Sequence, residues 1–131
     1  MHAIRTLAAA IVAIAAAMAN PALAHPRLLH AAPAQSARLG HVRSISLTFS
    51  EPLVGPLSGF DVFLIGMRGT PTNLHRSMMK ISGIHVSLAH DGKTLGAVLE
   101  RPLPAGNYEI RWRAVSTDTH RITGAISFTA R

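Results

Sequence analysis

No cysteine occurs in this chain of 131 residues. Disulfides and thiolate metal sites are therefore excluded, and softer metal ligands must come from methionine or histidine. Aromatic side chains are scarce, and Phe49, Phe60, Phe63, Tyr108, Trp112 and Phe128 are all there are. They offer no evident row of surface rings. Acids are few as well, six against 13 Lys and Arg. There is no G-x-S-x-G nucleophile motif, no phosphate-cradling glycine loop and no H-E-x-x-H, so hydrolase and nucleotide chemistry find no support. No internal repeat is present, and no stretch after Ala24 sustains a helical stripe.

What is present begins with an export signature. Arg5 precedes a 13-residue apolar run from Leu7 to Ala19, and Ala22-Leu23-Ala24 forms a small-x-small cleavage site. A membrane anchor needs about 18 or more apolar residues, and Asn20 and Pro21 interrupt this run first. Residues 1–24 are thus expected to be a cleaved signal peptide, and residues 25–131 a single exported domain without stable membrane insertion. Removing the first 24 of 131 residues leaves 107, enough for one hydrophobic core. The net charge of +7 falls to +6, since Arg5 is the one charged residue before the cut. Export to the periplasm removes nucleic acid as a partner and leaves anionic lipid head groups, acidic proteins or no specific partner; the arginines, spread along the chain rather than clustered, favour the last.

The domain reads as all-β. Ile45, Leu47 and Phe49 alternate with Ser46 and Thr48, and Tyr108, Ile110 and Trp112 alternate with Glu109, Arg111 and Arg113. This period of two buries one face of a strand. Further strands are expected over Phe60 to Ile65, Ile84 to Ala89, Leu95 to Leu99 and Ile122 to Thr129, with Asp91-Gly92 as a hairpin turn. Six or seven short strands in about 100 residues point to a Greek-key β-barrel or sandwich. The segment from Gly66 to Lys80 lacks alternation and collects Met67, His75, Met78 and Met79, which marks it as a functional loop.

Cleavage after Ala24 places His25 at a free amino terminus. Its α-amine and Nδ1 then chelate a metal in a six-membered ring, and Pro26, lacking an N–H, stops the chelate at that residue. Asp118 and His120, two apart, leave the same face of an extended segment and can converge on one ion. Three nitrogens and one oxygen suit tetragonal Cu(II) better than tetrahedral Zn(II). Glu51, at a strand end, is an accessory oxygen or an acceptor that orients an imidazole. His30, His41, His85 and His90 have no partner at ligand spacing. Trp112 and Tyr108 read as core.

These residues resemble a known family. His25-Pro26 with Leu28-Leu29, the run Phe49-Ser50-Glu51-Pro52-Leu53, Gly106-Asn107-Tyr108, and Trp112-Arg113-Ala114-Val115-Ser116-Thr117-Asp118-Thr119-His120-Arg121-Ile122-Thr123-Gly124 are similar to the CopC family of periplasmic copper-binding proteins. The resemblance implies an immunoglobulin-like Greek-key β-barrel of about seven strands. It also implies one Cu(II) held by His25, Asp118 and His120, with Glu51 nearby. Some members hold Cu(I) in a methionine-rich loop at the opposite end of the barrel. Here Leu64 stands where such members have a first methionine, and Met67, His75, Met78 and Met79 are spaced differently, which counts against a Cu(I) site.

The function expected is therefore copper sequestration, transfer or resistance in the periplasm, without turnover. The resemblance suggests an inner-membrane copper transporter or a periplasmic copper oxidase as partner. The alternative is a copper-dependent oxidative enzyme, because an amino-terminal histidine chelate also resembles the brace of polysaccharide monooxygenases. An ordinary secreted sandwich without metal is the third reading.

Overall fold

A computed structural model describes residues 25–67 and 78–131. The expected signal peptide, residues 1–24, and His75 lie outside the described residues. The elements are β1 (Leu28–Ala32), β2 (Arg38–Leu39), β3 (Ser44–Phe49), β4 (Gly59–Gly66), β5 (Met79–Lys80), β6 (Ser87–Leu88), β7 (Thr94–Val98), β8 (Gly106–Val115) and β9 (Arg121–Ala130), with one 3-10 turn at Gly55–Leu57. They form two sheets, ordered β1-β3-β7-β6 and β2-β9-β8-β4-β5. Strands β3 and β4 are consecutive yet lie in different sheets, as do β7 and β8, which is the crossing expected of a Greek-key sandwich.

Both alternating patterns do what their period requires. Ile45, Leu47 and Phe49 of β3, and Tyr108 and Ile110 of β8, are at most 1% exposed and face each other across the core. Tyr108 also donates its hydroxyl to the Pro104 carbonyl at 2.7 Å. That contact closes the β7–β8 crossover, as the tyrosine corner does in immunoglobulin-like sandwiches. Asp91 accepts from the Lys93 and Thr94 N–H groups at 2.8 and 3.0 Å, and Gly92 takes φ +70°, so the expected turn is there.

Three differences from the sequence reading have physical causes. The stretch from Ile84 to Ala89 contributes only the two residues of β6, because it pairs with β7 through Ser87 and Leu88 alone. Strand β1 was not expected; a register shift between Leu28 and His30 breaks its alternation and hides it. Among the described residues nine strands replace about seven, because β1 and the two-residue edge strands β2 and β5 are added. Short edges of this kind limit unwanted pairing between molecules.

The two sheets meet over Trp112. Its indole lies 5.1 Å from the Phe49 ring, edge to face, and crosses its ladder partner Gly124. A Cβ on Gly124 would stand 2.3 Å from the indole Cζ2, so only glycine fits beneath the ring. Gly124→Ala should therefore overpack this site and cost about 1–3 kcal/mol. Urea unfolding followed by circular dichroism should show the lower midpoint.

Candidate metal centre

Ten consecutive pairs join β8 to β9, from Gly106↔Ala130 to Val115↔Arg121. This ladder delivers residues Ser116 to His120 to one end of the sandwich as a tight turn. An extended segment would bring Asp118 and His120 to one face; the segment is instead a turn. Thr119 adopts φ +71°, the left-handed region, and its N–H donates to the Ser116 carbonyl at 2.9 Å. A β-branched residue rarely sits there, and such positions cluster at functional sites. The two side chains still converge, with His120 Nδ1 3.0 Å from Asp118 Oδ2.

The turn is held from several sides. Ser116, 3% exposed, donates its N–H to the His120 carbonyl at 3.0 Å and its hydroxyl to Asp118 Oδ1. Leu53 pairs with Ser116 in an isolated antiparallel bridge, and the buried Ser58 hydroxyl accepts the Val115 N–H at 2.9 Å. The Ser116 hydroxyl, and next to it His120, stabilise the ionised carboxylate and lower the Asp118 pKa from 3.8 to about 2.

His25 reaches this turn from the other sheet. Pro26 is fully buried, the Arg27 N–H donates to Ser50 Oγ at 2.9 Å, and the Ser50 N–H donates to the Arg27 carbonyl at 2.9 Å. These contacts fix the chain just before β1. The His25 ring lies edge-on to the His120 ring, with centroids 4.6 Å apart. Residues 25, 118 and 120 are thus neighbours although 93 positions separate the first two. Glu51 is half-buried between Ser50 and Leu53, on the segment linking both halves, and forms no ion pair among the described residues.

Does this group fit a metal? His120 Nδ1 is buried and has no hydrogen-bond partner, because its approach to Asp118 Oδ2 is close but misaligned. A ring nitrogen and a carboxylate oxygen held this close without a well-aligned hydrogen bond are two donor atoms facing one small space. With the second imidazole they make a nitrogen and oxygen donor set suited to a divalent transition metal. Among the described residues, no three His, Asp or Glu side chains form a finished cage. The fourth donor of the expected set is a main-chain amine, which exists only once His25 begins the chain.

The other candidate donors are elsewhere. Strand β4 runs antiparallel to β8, and its end at Gly66 meets Asn107, so Met67 lies about 30 Å along the sheet from the Ser116 turn. Met67, Met78 and Met79 are exposed at that far end. Met78 Sδ accepts from the Arg111 guanidinium at 3.2 Å, and Arg111 also covers the Phe63 ring. This contact sets a cation beside the Met78 thioether. His30, His41, His85 and His90 are exposed, as expected. Ser50 and Ser116 went unnoticed as functional residues in the sequence, where they are only small polar residues beside the ligand candidates.

Comparison with known proteins agrees with this architecture. The CopC domain family model matches residues 28–131. The chain belongs to the CopC family. Copper resistance protein C of Xanthomonas campestris pv. juglandis is 36% identical over 132 residues, covering 100% of both chains. Copper resistance protein C of Pseudomonas syringae pv. tomato is 39% identical over 107 residues, with 82% of this chain and 81% of the relative covered. Among solved structures, PcoC, a methionine-rich copper resistance protein from Escherichia coli, superposes with a TM-score of 0.71 at 36% identity. That match covers 82% of this chain and 100% of PcoC. The CopC family assignment carries copper binding in a resistance context, and its matched span includes Asp118 and His120 while beginning three residues after His25.

The low Asp118 pKa has a direct test. Its folded value lies below the ordinary one, so whatever stability its contacts give is complete above about pH 4 and is lost as pH falls through about 2. Carbon-detected NMR of the Asp118 carboxyl should show a midpoint near 2. A midpoint near the ordinary 3.8 would mean the Ser116 contact does not persist in solution.

Proposed function

We propose that this chain is a periplasmic copper-binding protein that holds one Cu(II) through the α-amine and imidazole of a mature amino-terminal His25, together with Asp118 and His120. The convergence of His120 Nδ1, Asp118 Oδ2 and the His25 ring at one end of the sandwich carries this reading. Signal cleavage after Ala24 completes the donor set by freeing the amine. The arrangement is largely prebuilt: Ser50 fixes the approach to His25, and Ser116 fixes the turn, so little ordering entropy opposes binding. Sequestration, transfer to an inner-membrane copper transporter or supply to a periplasmic copper oxidase are the roles such a site serves. Glu51 is the nearby acid that orients a ligand.

A binding role fits better than oxidative catalysis on a polysaccharide. Phe49, Phe60, Tyr108 and Phe128 are buried, Trp112 is half-buried against Phe49, and Phe63 lies half-buried under Arg111. None of the chain's six aromatic rings is left for a flat substrate platform. One copper per chain is proposed; at the opposite end the Met78 sulfur accepts from Arg111.

Titration of Cu(II) into protein beginning at His25 should give one equivalent bound, and one extra amino-terminal glycine should weaken binding and shift the visible ligand-field band. Equal affinity for both proteins would rule out the chelate. Affinity should also fall steeply from about pH 8 to about pH 5, because protons compete with the metal for amine and imidazole nitrogens. Asp118, ionised down to about 2, contributes nothing to that loss. Competition titrations with a chelator across this range measure the slope, and a flat profile would exclude these ligands.

A further inference from the structure

Asp118 carries two equivalent oxygens, and a free carboxylate on a turn offers a metal either one or both. Here the two are distinguished. Oδ1 accepts from the Ser116 hydroxyl and faces the His120 N–H at 3.4 Å, whereas Oδ2 is turned to His120 Nδ1 at 3.0 Å. The hydroxyl that makes the distinction is itself immobile. Ser116 is 3% exposed, its N–H is committed to the His120 carbonyl at 3.0 Å, its carbonyl to the Thr119 N–H at 2.9 Å, and its backbone to the bridge with Leu53.

Resting on the copper site proposed above, we infer that Ser116 is a positioning residue that presents Asp118 to the metal through Oδ2 alone while its backbone places His120. One side chain and one peptide unit thus set two ligands at once. A single carboxylate oxygen, two ring nitrogens and an amine make four donors, the number a tetragonal Cu(II) site takes in its plane. Were Oδ1 also free, the carboxylate would chelate through a strained four-membered ring or rotate between modes, and a preset geometry would be lost. Groups that orient metal ligands in this way typically change affinity about 10- to 100-fold when removed.

The test uses protein beginning at His25, Cu(II) and a competing chelator, with Ser116→Ala, Ser116→Thr and Asp118→Ala beside the parent. Ser116→Ala should keep a cooperative thermal transition, weaken Cu(II) about 10-fold and alter the copper hyperfine splitting in the electron paramagnetic resonance spectrum. Ser116→Thr, which retains the hydroxyl, should restore the parent affinity and spectrum. Parent affinity and spectrum in Ser116→Ala, with binding weakened in Asp118→Ala, would overturn the role of Ser116 while leaving the ligand set intact. Equal loss in Ser116→Ala and Ser116→Thr would also overturn it, since space rather than the hydroxyl would then be what matters. Parent binding in Asp118→Ala would instead remove the ligand set itself.

Discussion

The β8–β9 ladder is the constraint on which the rest depends. Its ten pairs fix the register between Gly106↔Ala130 and Val115↔Arg121, and a slip of one residue would turn Tyr108, Ile110 and Phe128 out of the core. The same register seats Trp112 over Gly124, where the absence of a side chain admits the indole. It also sets the length of the connection that follows. Five residues must reverse the chain at the end of this hairpin, and the left-handed Thr119 lets them do so while holding Asp118 and His120 together. Core packing and site geometry are thus two results of one pairing pattern.

That pattern was partly legible in the sequence. Strands β3 and β8 announce themselves because one face of each is buried and the other wet, which is what a period of two records. Strand β1 does not, because the shift between Leu28 and His30 scrambles its phase, and Ile84 to Ala89 misleads because apolar residues can pack on a core without pairing. Asp118 and His120 were identifiable by type and spacing, yet their conformation was not. Thr119 is a residue that ordinarily favours extended backbone, so nothing local signals a left-handed turn. The nearness of His25 to His120 is a long-range property of how two sheets pack; donor chemistry and the family resemblance suggest it in the sequence, but no local pattern encodes it.

The two ends of the sandwich differ in donor chemistry. Nitrogen and oxygen groups gather at the Ser116 turn, whereas exposed thioethers stand where β4 and β5 end. Arg111 divides its contacts among Glu109, Met78 and Phe63, so among the described residues the sulfur end also carries a cation. Among the described residues, the nitrogen and oxygen donors brought together are those at the Ser116 turn.

The placement of the three nitrogen and oxygen ligand candidates has a mechanical corollary. His25 leads into an edge strand of the four-stranded sheet, whereas Asp118 and His120 belong to the hairpin of the five-stranded one. An ion gripped by both would rivet the two layers together and close a circuit of roughly ninety residues, the topological service a disulfide gives to many exported domains, where a loop near this size is worth about 4 to 5 kcal/mol in chain entropy. A chain without cysteine would then draw its crosslink from its cargo, tightening when loaded and loosening when emptied.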